Sequence, residues 1–402
     1  MTNQIIAKPF GTTQNLLILF LLFCVNPLLG IGIAILYALR GDDYNKCLPL
    51  LLMICLYMAA LNSTKLVESD LEEYVSMYEN VPFRGYLKTL SYLTDDDRIH
   101  EVVYGTMVYF LYYATFGHAS IFVAILSFLI YFFLLISFFE YGRRNSLQMY
   151  VLVSGVLTIS FFTQYFSLTA HLIRQLLATS IMMYAIVWRD ISLKRYILWC
   201  VVAFNIHNSM ALLILLSAVP FFVRWLTKKQ LILFCGISFG ATLSFMIVAS
   251  FILERLTGQG DIVSTLSRAS SAVGQSDGNE ANMLAIMIVT IPMLLMSIYA
   301  IIKKRILECP IYFNICLAIS IFVLNLSFAP LIQYRIFYVL YSFIPFVLFP
   351  PLRHDSEFTK RICFIIPVFF ILLFYFSLER GAFTYCTTLE ALLLPYPSLL
   401  QF

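Results

Sequence analysis

ASIFVAILSFLIYFFLLISFF, residues 119–139, is a run of 21 residues without one charged side chain. About 20 apolar residues in a helix cross the hydrocarbon of a bilayer, so this stretch reads as a membrane span. Its flanks agree with that reading, because Gly117-His118 makes a turn before it and Arg143-Arg144 follows it. Similar runs lie at 15–39, 47–61, 102–117, 148–166, 172–188, 196–206, 209–223, 230–253, 283–302, 310–328, 332–350 and 361–377. Lipid offers no partner to backbone N–H and C=O groups outside a helix. The expected fold class is therefore all-α: a polytopic inner-membrane helical bundle of about 12–13 hydrophobic segments, forming a single transmembrane domain over residues 1–402.

The composition points the same way. Of 402 residues 61% are hydrophobic, 37 are Phe and only 12% are charged, whereas a soluble domain carries about 25% charged residues. This excludes a disordered chain, a disulfide-stapled secreted domain and a nucleic-acid binder. The nine cysteines form no CxxC pair and mostly lie inside apolar runs, where Cys behaves as a small hydrophobe. No disulfide framework and no metal site are expected. Cys386, in the terminal tail, is the cysteine expected to be exposed. The first run is longer than a signal-peptide core of about 7–15 residues, so it reads as a retained span, kinked at Asn26-Pro27.

Orientation follows from Lys and Arg placement. Arg143-Arg144, Arg189/Lys194/Arg195, Arg224/Lys228/Lys229, Lys303-Lys304-Arg305 and Arg353/Lys360/Arg361 hold fourteen of the 26 basic residues. They fall on alternate span ends, so all can be cytoplasmic together. The turn 166–171, the corner Asn205–Ser209, the Gly/Ser/Asp-rich loop 254–282, the turn 329–332 and the tail 378–402 are then periplasmic. Segment 62–101 carries nine acids against four basic residues. It is expected to be a periplasmic acidic loop with one amphipathic helix, which requires 102–117 to be re-entrant or interfacial. A plain crossing by 102–117 is the alternative.

Charges within helices at membrane depth need a reason, since each costs about 2.5 kcal/mol or more on insertion scales. Arg174 lies three residues after His171, a spacing that predicts one shared helix face. His207 lies in a polar corner with Asn208, and Arg335 stands about one turn into its span. The bland alternatives are interfacial snorkelling for the arginines and His171, and a helix-capping turn for His207. Two arginines at one membrane face suggest an anionic ligand, because guanidinium binds phosphate bidentately. At a bilayer edge a lipid-linked phosphate or pyrophosphate is the natural anion. Asp70, Tyr74 and Tyr78 recur at four-residue spacing and stay near one helix face. Asp70 could act as a general base towards a sugar hydroxyl, although a solvated acidic face is the simpler reading for most of these acids. Asp95-Asp96-Asp97 reads as a solvated turn. No HExxH, GxSxG, Walker or Rossmann pattern occurs.

These residues resemble the EpsG-like branch of the Wzy polymerases, which polymerise O-antigen and exopolysaccharide repeat units. The resemblance rests on Asp70-x3-Tyr74-x3-Tyr78, Ile173-Arg174-Gln175-Leu176-Leu177-Ala178, Phe204-x2-His207-Asn208-Ser209 and Arg335-Ile336 with Tyr338, over roughly residues 65–345. Such proteins often show Arg-x-x-Gly-x-Asp-Tyr early in the chain, where Ser69-Asp70-Leu71 stands here. The resemblance implies a GT-C-like glycosyltransferase of the bacterial inner membrane. Its donor would be a glycan on undecaprenyl pyrophosphate, and its acceptor the non-reducing sugar of a lipid-linked repeat unit. It implies no nucleotide sugar, cofactor or metal, and as partners a chain-length regulator and an upstream flippase.

On the residues' own chemistry, Arg174 and Arg335 would stabilise the departing pyrophosphate. His207 or Asp70 would deprotonate or orient the acceptor hydroxyl, and His171 would orient phosphate or sugar. Gln175, Tyr74, Tyr78, Asn208 and Tyr338 complete the candidate substrate contacts. A lipid-linked oligosaccharide flippase, an O-antigen ligase and a membrane acyltransferase are the rival readings. No internal repeat of the kind common in transporters is visible.

Overall fold

A computed structural model describes residues 10–41, 43–68, 70–90, 101–238, 240, 279–303, 310–326, 330–353, 356–381 and 384–400. The acidic turn Asp95–Asp97 lies outside them, and so does nearly all of loop 254–282. Among the described residues the regular structure is helical, apart from an isolated bridge between Lys65 and Thr384. In order the first helices are α1 Phe10–Val25, α2 Pro27–Leu39, α3 Leu48–Ser63, α4 Asp70–Glu79, α5 Val81–Leu90, α6 Val102–Ala114 and α7 Ala119–Arg144. Then follow α8 Met149–Ser160, α9 Thr163–His171, α10 Ile173–Trp188, α11 Leu193–Ile206, α12 Met210–Ala218 and α13 Pro220–Val223. Asn279–Lys303, Ile311–Asn325, Pro330–Leu348 and Glu357–Gly381 are long helices of the last third.

Among the described residues five helical stretches are long and apolar enough to cross a membrane: Tyr44–Ser63, Ala119–Arg144, Met283–Lys303, Gln333–Leu352 and Glu357–Leu378. A sixth candidate is the pair α8 and α9, bent by 54° at Phe161-Phe162. The chain is thus an all-α polytopic membrane protein, but several expected segments are shorter than a span. The 13 residues of α6 rise only about 20 Å at 1.5 Å each, short of the roughly 30 Å hydrocarbon core. The region 62–101, expected to hold one amphipathic helix, holds both α4 and α5 among its described residues. Gly105 lets α6 approach α5 closely, since a Cβ there would lie 2.9 Å from a Leu90 methyl and 3.2 Å from the Leu90 Cα.

The contacts divide the chain into two compact units, Met1–Met210 with Asp355–Phe402, and Ala211–His354. In the first unit α3, α7 and α10 form the centre, with Tyr57, Tyr131, Phe122 and Phe138 fully buried. Asn62 ties α3 to α9 by donating to Thr169 Oγ1 at 2.9 Å. Asn26 breaks α1 from α2: its side chain accepts from Leu29 N and so caps α2, and Pro27 opens that helix. The amide of Asn26 also donates to Leu392 O at 2.9 Å, and the Phe23 and Tyr396 rings meet at 4.9 Å. The C-terminal tail therefore packs on the first helices. Cys386 is consequently buried, which corrects the expectation of an exposed thiol; the docked tail shields it. In the second unit Leu226, Leu231, Ile301 and Leu317 form a core, and Asn314 donates to Phe222 O and Arg224 O at 2.8 Å each.

Candidate functional site

The site in the first unit is assembled at the ends of helices. Helix α9 stops at His171, and Leu172 (φ −118°, ψ 45°) breaks the chain before α10 begins. His171 and Arg174 therefore sit on different helices. This corrects the expectation of one shared face, because the spacing rule holds only within an unbroken helix. His171 lies near the Glu68 backbone and feels the charges of Lys65 and Asp70. Arg174 stands in the first turn of α10, the end where the helix dipole disfavours a cation. That misplacement is offset by a partner from far along the chain.

Arg174 Nη1 donates to Glu101 Oε2 at 2.6 Å, with side-chain exposures of 20% and 10%. Arg174 also lies over the rings of Tyr74 of α4 and Tyr104 of α6, 5.4 and 5.9 Å from their centres. Burial raises the Tyr74 phenol above its ordinary value, opposed by the Arg174 charge, so Tyr74 is a neutral hydroxyl at the site. The second Glu101 oxygen faces the corner after α11. Asn208 N donates to Glu101 Oε1 at 3.3 Å, and His207 Nδ1 lies 3.4 Å from the same oxygen. His207 Nδ1 is also 3.4 Å from the Ser209 N–H. Residues from α4, α10, the start of α6 and the α11–α12 corner thus converge on one carboxylate. Arg174 Nε and Tyr104 OH are buried there without a hydrogen-bond partner among the described residues.

The basic residues gather at the other end of these helices. Arg144 and Arg195 both stack on Trp188, 4.7 and 4.5 Å from its ring. Helix α10 runs from Arg174 to Trp188, and α11 runs back from beside Arg195 towards His207. The Arg174–Glu101–His207 cluster and the basic cluster therefore cap opposite ends of one antiparallel helix pair.

A family model, EpsG, matches residues 47–397. The chain belongs to the EpsG family. Membership supports a polysaccharide-polymerase-like role for this membrane protein. No curated protein and no solved structure matches the chain.

Within this EpsG-family chain, Tyr74, Arg174, His207 and Asn208 meet, and the other sequence-derived candidates lie elsewhere. Asp70 opens α4 and is exposed. Tyr78 is fully buried in the core, stacking 4.5 Å from Phe122 and hydrogen-bonding Thr115. Gln175 is buried. Arg335 and Tyr338 belong to the second unit. Arg335 is exposed there, and the Tyr338 ring lies 6.1 Å from those of Tyr334 and Tyr341. Among the described residues no three His, Cys, Asp or Glu side chains gather to hold a metal. Glu101 was absent from the sequence-derived candidates. Its one sequence signal is its position, a carboxylate at the threshold of an apolar run.

Proposed function

We propose that this protein polymerises undecaprenyl-pyrophosphate-linked oligosaccharide repeat units at the periplasmic face of the bacterial inner membrane. The glycan on its lipid pyrophosphate is the donor, and a newly delivered repeat unit is the acceptor. The observation that carries this reading is the half-buried Arg174–Glu101–His207 cluster in a chain of the EpsG family. A phosphate-binding cation and an imidazole stand together there, as glycosyl transfer from a pyrophosphate needs.

Arg174 stabilises the negative charge that grows on the departing pyrophosphate. In the free protein a carboxylate already occupies Arg174 Nη1, and carboxylate and phosphate compete for the same planar donors. Arg174 Nε and Tyr104 OH, buried and without a hydrogen-bond partner among the described residues, supply further donors for a polar ligand. His207 or Asp70 takes or orients the acceptor hydroxyl proton, and His171 orients phosphate or sugar. The periplasmic placement draws on the positive-inside rule and on the basic cluster at the opposite ends of α10 and α11. A chain-length regulator and an upstream flippase are the expected partners.

The test is reconstitution. Purified protein is mixed with lipid-linked repeat units extracted from cells lacking this gene, without nucleotide sugar or added metal. A ladder of products supports the reading, and single repeats alone overturn it. In cells, loss of a polymerase leaves single repeats at the surface. Loss of a flippase traps them inside, and loss of a ligase removes even single units.

A further inference from the structure

Glu101 has a conformation that its own helix does not explain. It is a non-glycine residue in the left-handed region, φ 52° and ψ 47°, directly before α6, and such backbone is sparsely populated. From that position a carboxylate could cap α6, yet it makes no side-chain cap bond. It reaches instead to Arg174 and to the His207–Asn208 corner. Backbone strain of this kind persists where surrounding contacts over-determine it, typically at functional sites.

We propose that Glu101 is the positioning residue for His207: it holds the proton on Nδ1, so that Nε2 is the atom that accepts the proton of the acceptor hydroxyl. This rests on the glycosyl-transfer reading above and assigns the base within it to His207 rather than Asp70. His207 Nδ1 has two competing neighbours at the same 3.4 Å, the Ser209 N–H and Glu101 Oε1. The Ser209 N–H selects the tautomer with a bare Nδ1 and a protonated Nε2, which cannot act as a base. Glu101 selects the opposite tautomer, because a carboxylate only accepts. A charged acceptor also outbids a neutral donor of equal reach.

Among the contacts described, His207 meets Glu101 ahead of α6 and Ser209 of its own corner, while Asn208 N and Arg174 of α10 hold the same Glu101 carboxylate. In the reaction the acceptor oxygen forms a bond to the donor anomeric carbon, while the bond from that carbon to the pyrophosphate oxygen breaks. The electron pair leaves with the lipid pyrophosphate. The hydroxyl proton passes to His207 Nε2, and Glu101 stabilises the resulting imidazolium through Nδ1–H.

The test compares wild type and Glu101→Gln across a pH series, using lipid-linked repeat units extracted from the deletion strain. A glutamine can turn its NH2 towards Nδ1 and impose the wrong tautomer. The expected result is a loss of about 10²-fold or more in rate, with the low-pH limb moved to lower pH, because His207 loses an anionic neighbour. A rate loss with the limb in place would reduce Glu101 to a structural role and overturn the proposal. A limb that moves with Asp70→Asn instead would make Asp70 the base and overturn it too. An independent measurement needs no variant at Glu101: the nitrogen NMR shifts of 15N-histidine-labelled wild-type protein, with His207 assigned by His207→Asn. Protonated Nδ1 on the neutral ring is expected, and protonated Nε2 sinks the proposal. If wild type makes no polymer while Nδ1 carries the proton, the polymerase reading fails and the tautomer assignment stands.

Discussion

Arg174 and Glu101 lie 73 residues apart in the chain and 2.6 Å apart in space. The pair fixes the first turn of α10 against the residue that opens α6. Removing one partner of a buried pair leaves the other charge stranded and costs about 3–5 kcal/mol. Arg174→Met should therefore lower thermal stability in detergent by an amount in that range and abolish polymer. Arg174→Lys separates charge from geometry. An ammonium is a point charge without the planar fork, and it cannot hold Glu101 while lying across two tyrosine rings. Polymer formation should fall about 10²-fold or more at wild-type protein level. Normal polymer from the Lys variant would show that charge alone suffices.

Lys65 is buried just past α3, and its Nζ donates to Phe166 O at 2.6 Å and Ser167 O at 2.8 Å. Burial pushes its amine well below the usual lysine range. Its backbone also bridges Thr384, beside the bond from Tyr385 N to Thr64 O. One residue thus ties α3, α9 and the tail. Lys65→Met removes a donor from two carbonyls, each worth about 1–3 kcal/mol when left unmet. The melting temperature should fall, and proteolysis of the tail after residue 383 should quicken. An unchanged melting curve would show that those carbonyls find other partners.

How much of this was legible in the sequence depended on the range of the interaction. The span 119–139, the break at Asn26-Pro27 and the turn at Gly117-His118 are local, and each appears where its residues predict it. Arg174 and His207 stood out because a polar group in an apolar setting needs a reason. Glu101 did not, because it is one of nine acids in a polar segment, and its distinction is three partners brought from other helices. No Gly or Pro marks the break at Leu172, so the shared face of His171 and Arg174 looked sound. Tyr78 repeats the spacing of Tyr74, yet its ring meets Phe122 of α7 while Tyr74 meets Tyr104 of α6. Cys386 was misjudged because the tail that carries it docks on helices more than 300 residues earlier.

Cys386 should resist thiol reagents in the native protein. Burial is the first cause that pushes its thiol up to about 11, with the Glu390 charge adding to it. The folded state thus favours the neutral thiol more than the unfolded chain does, whose thiol ionises near 9. This contribution to stability is fully present below about pH 9 and is lost as pH rises through about 11. Maleimide labelling, mapped by mass to the peptide bearing Cys386, should be negligible at pH 7.5 and appear on alkaline loosening of the tail. Rapid labelling at neutral pH would mean that the tail is not docked.

Arg335 offers the cleanest separation of function from folding. It lies in the first turns of the helix Pro330–Leu348 and is exposed. An exposed side chain contributes little to folding, and substitutions there usually stay within about 0.5 kcal/mol. A cation near the start of a helix also gains nothing from the dipole. If its charge serves the departing pyrophosphate, Arg335→Ala should leave the melting temperature unchanged and cost about 10²–10³-fold in rate. Arg174→Met, by contrast, should lose both stability and activity. The two variants, measured side by side for melting temperature and polymer length, distinguish a ligand for the leaving group from a strut. An Arg335→Ala protein that melts normally and still builds full-length polymer would show that this arginine does not serve the reaction.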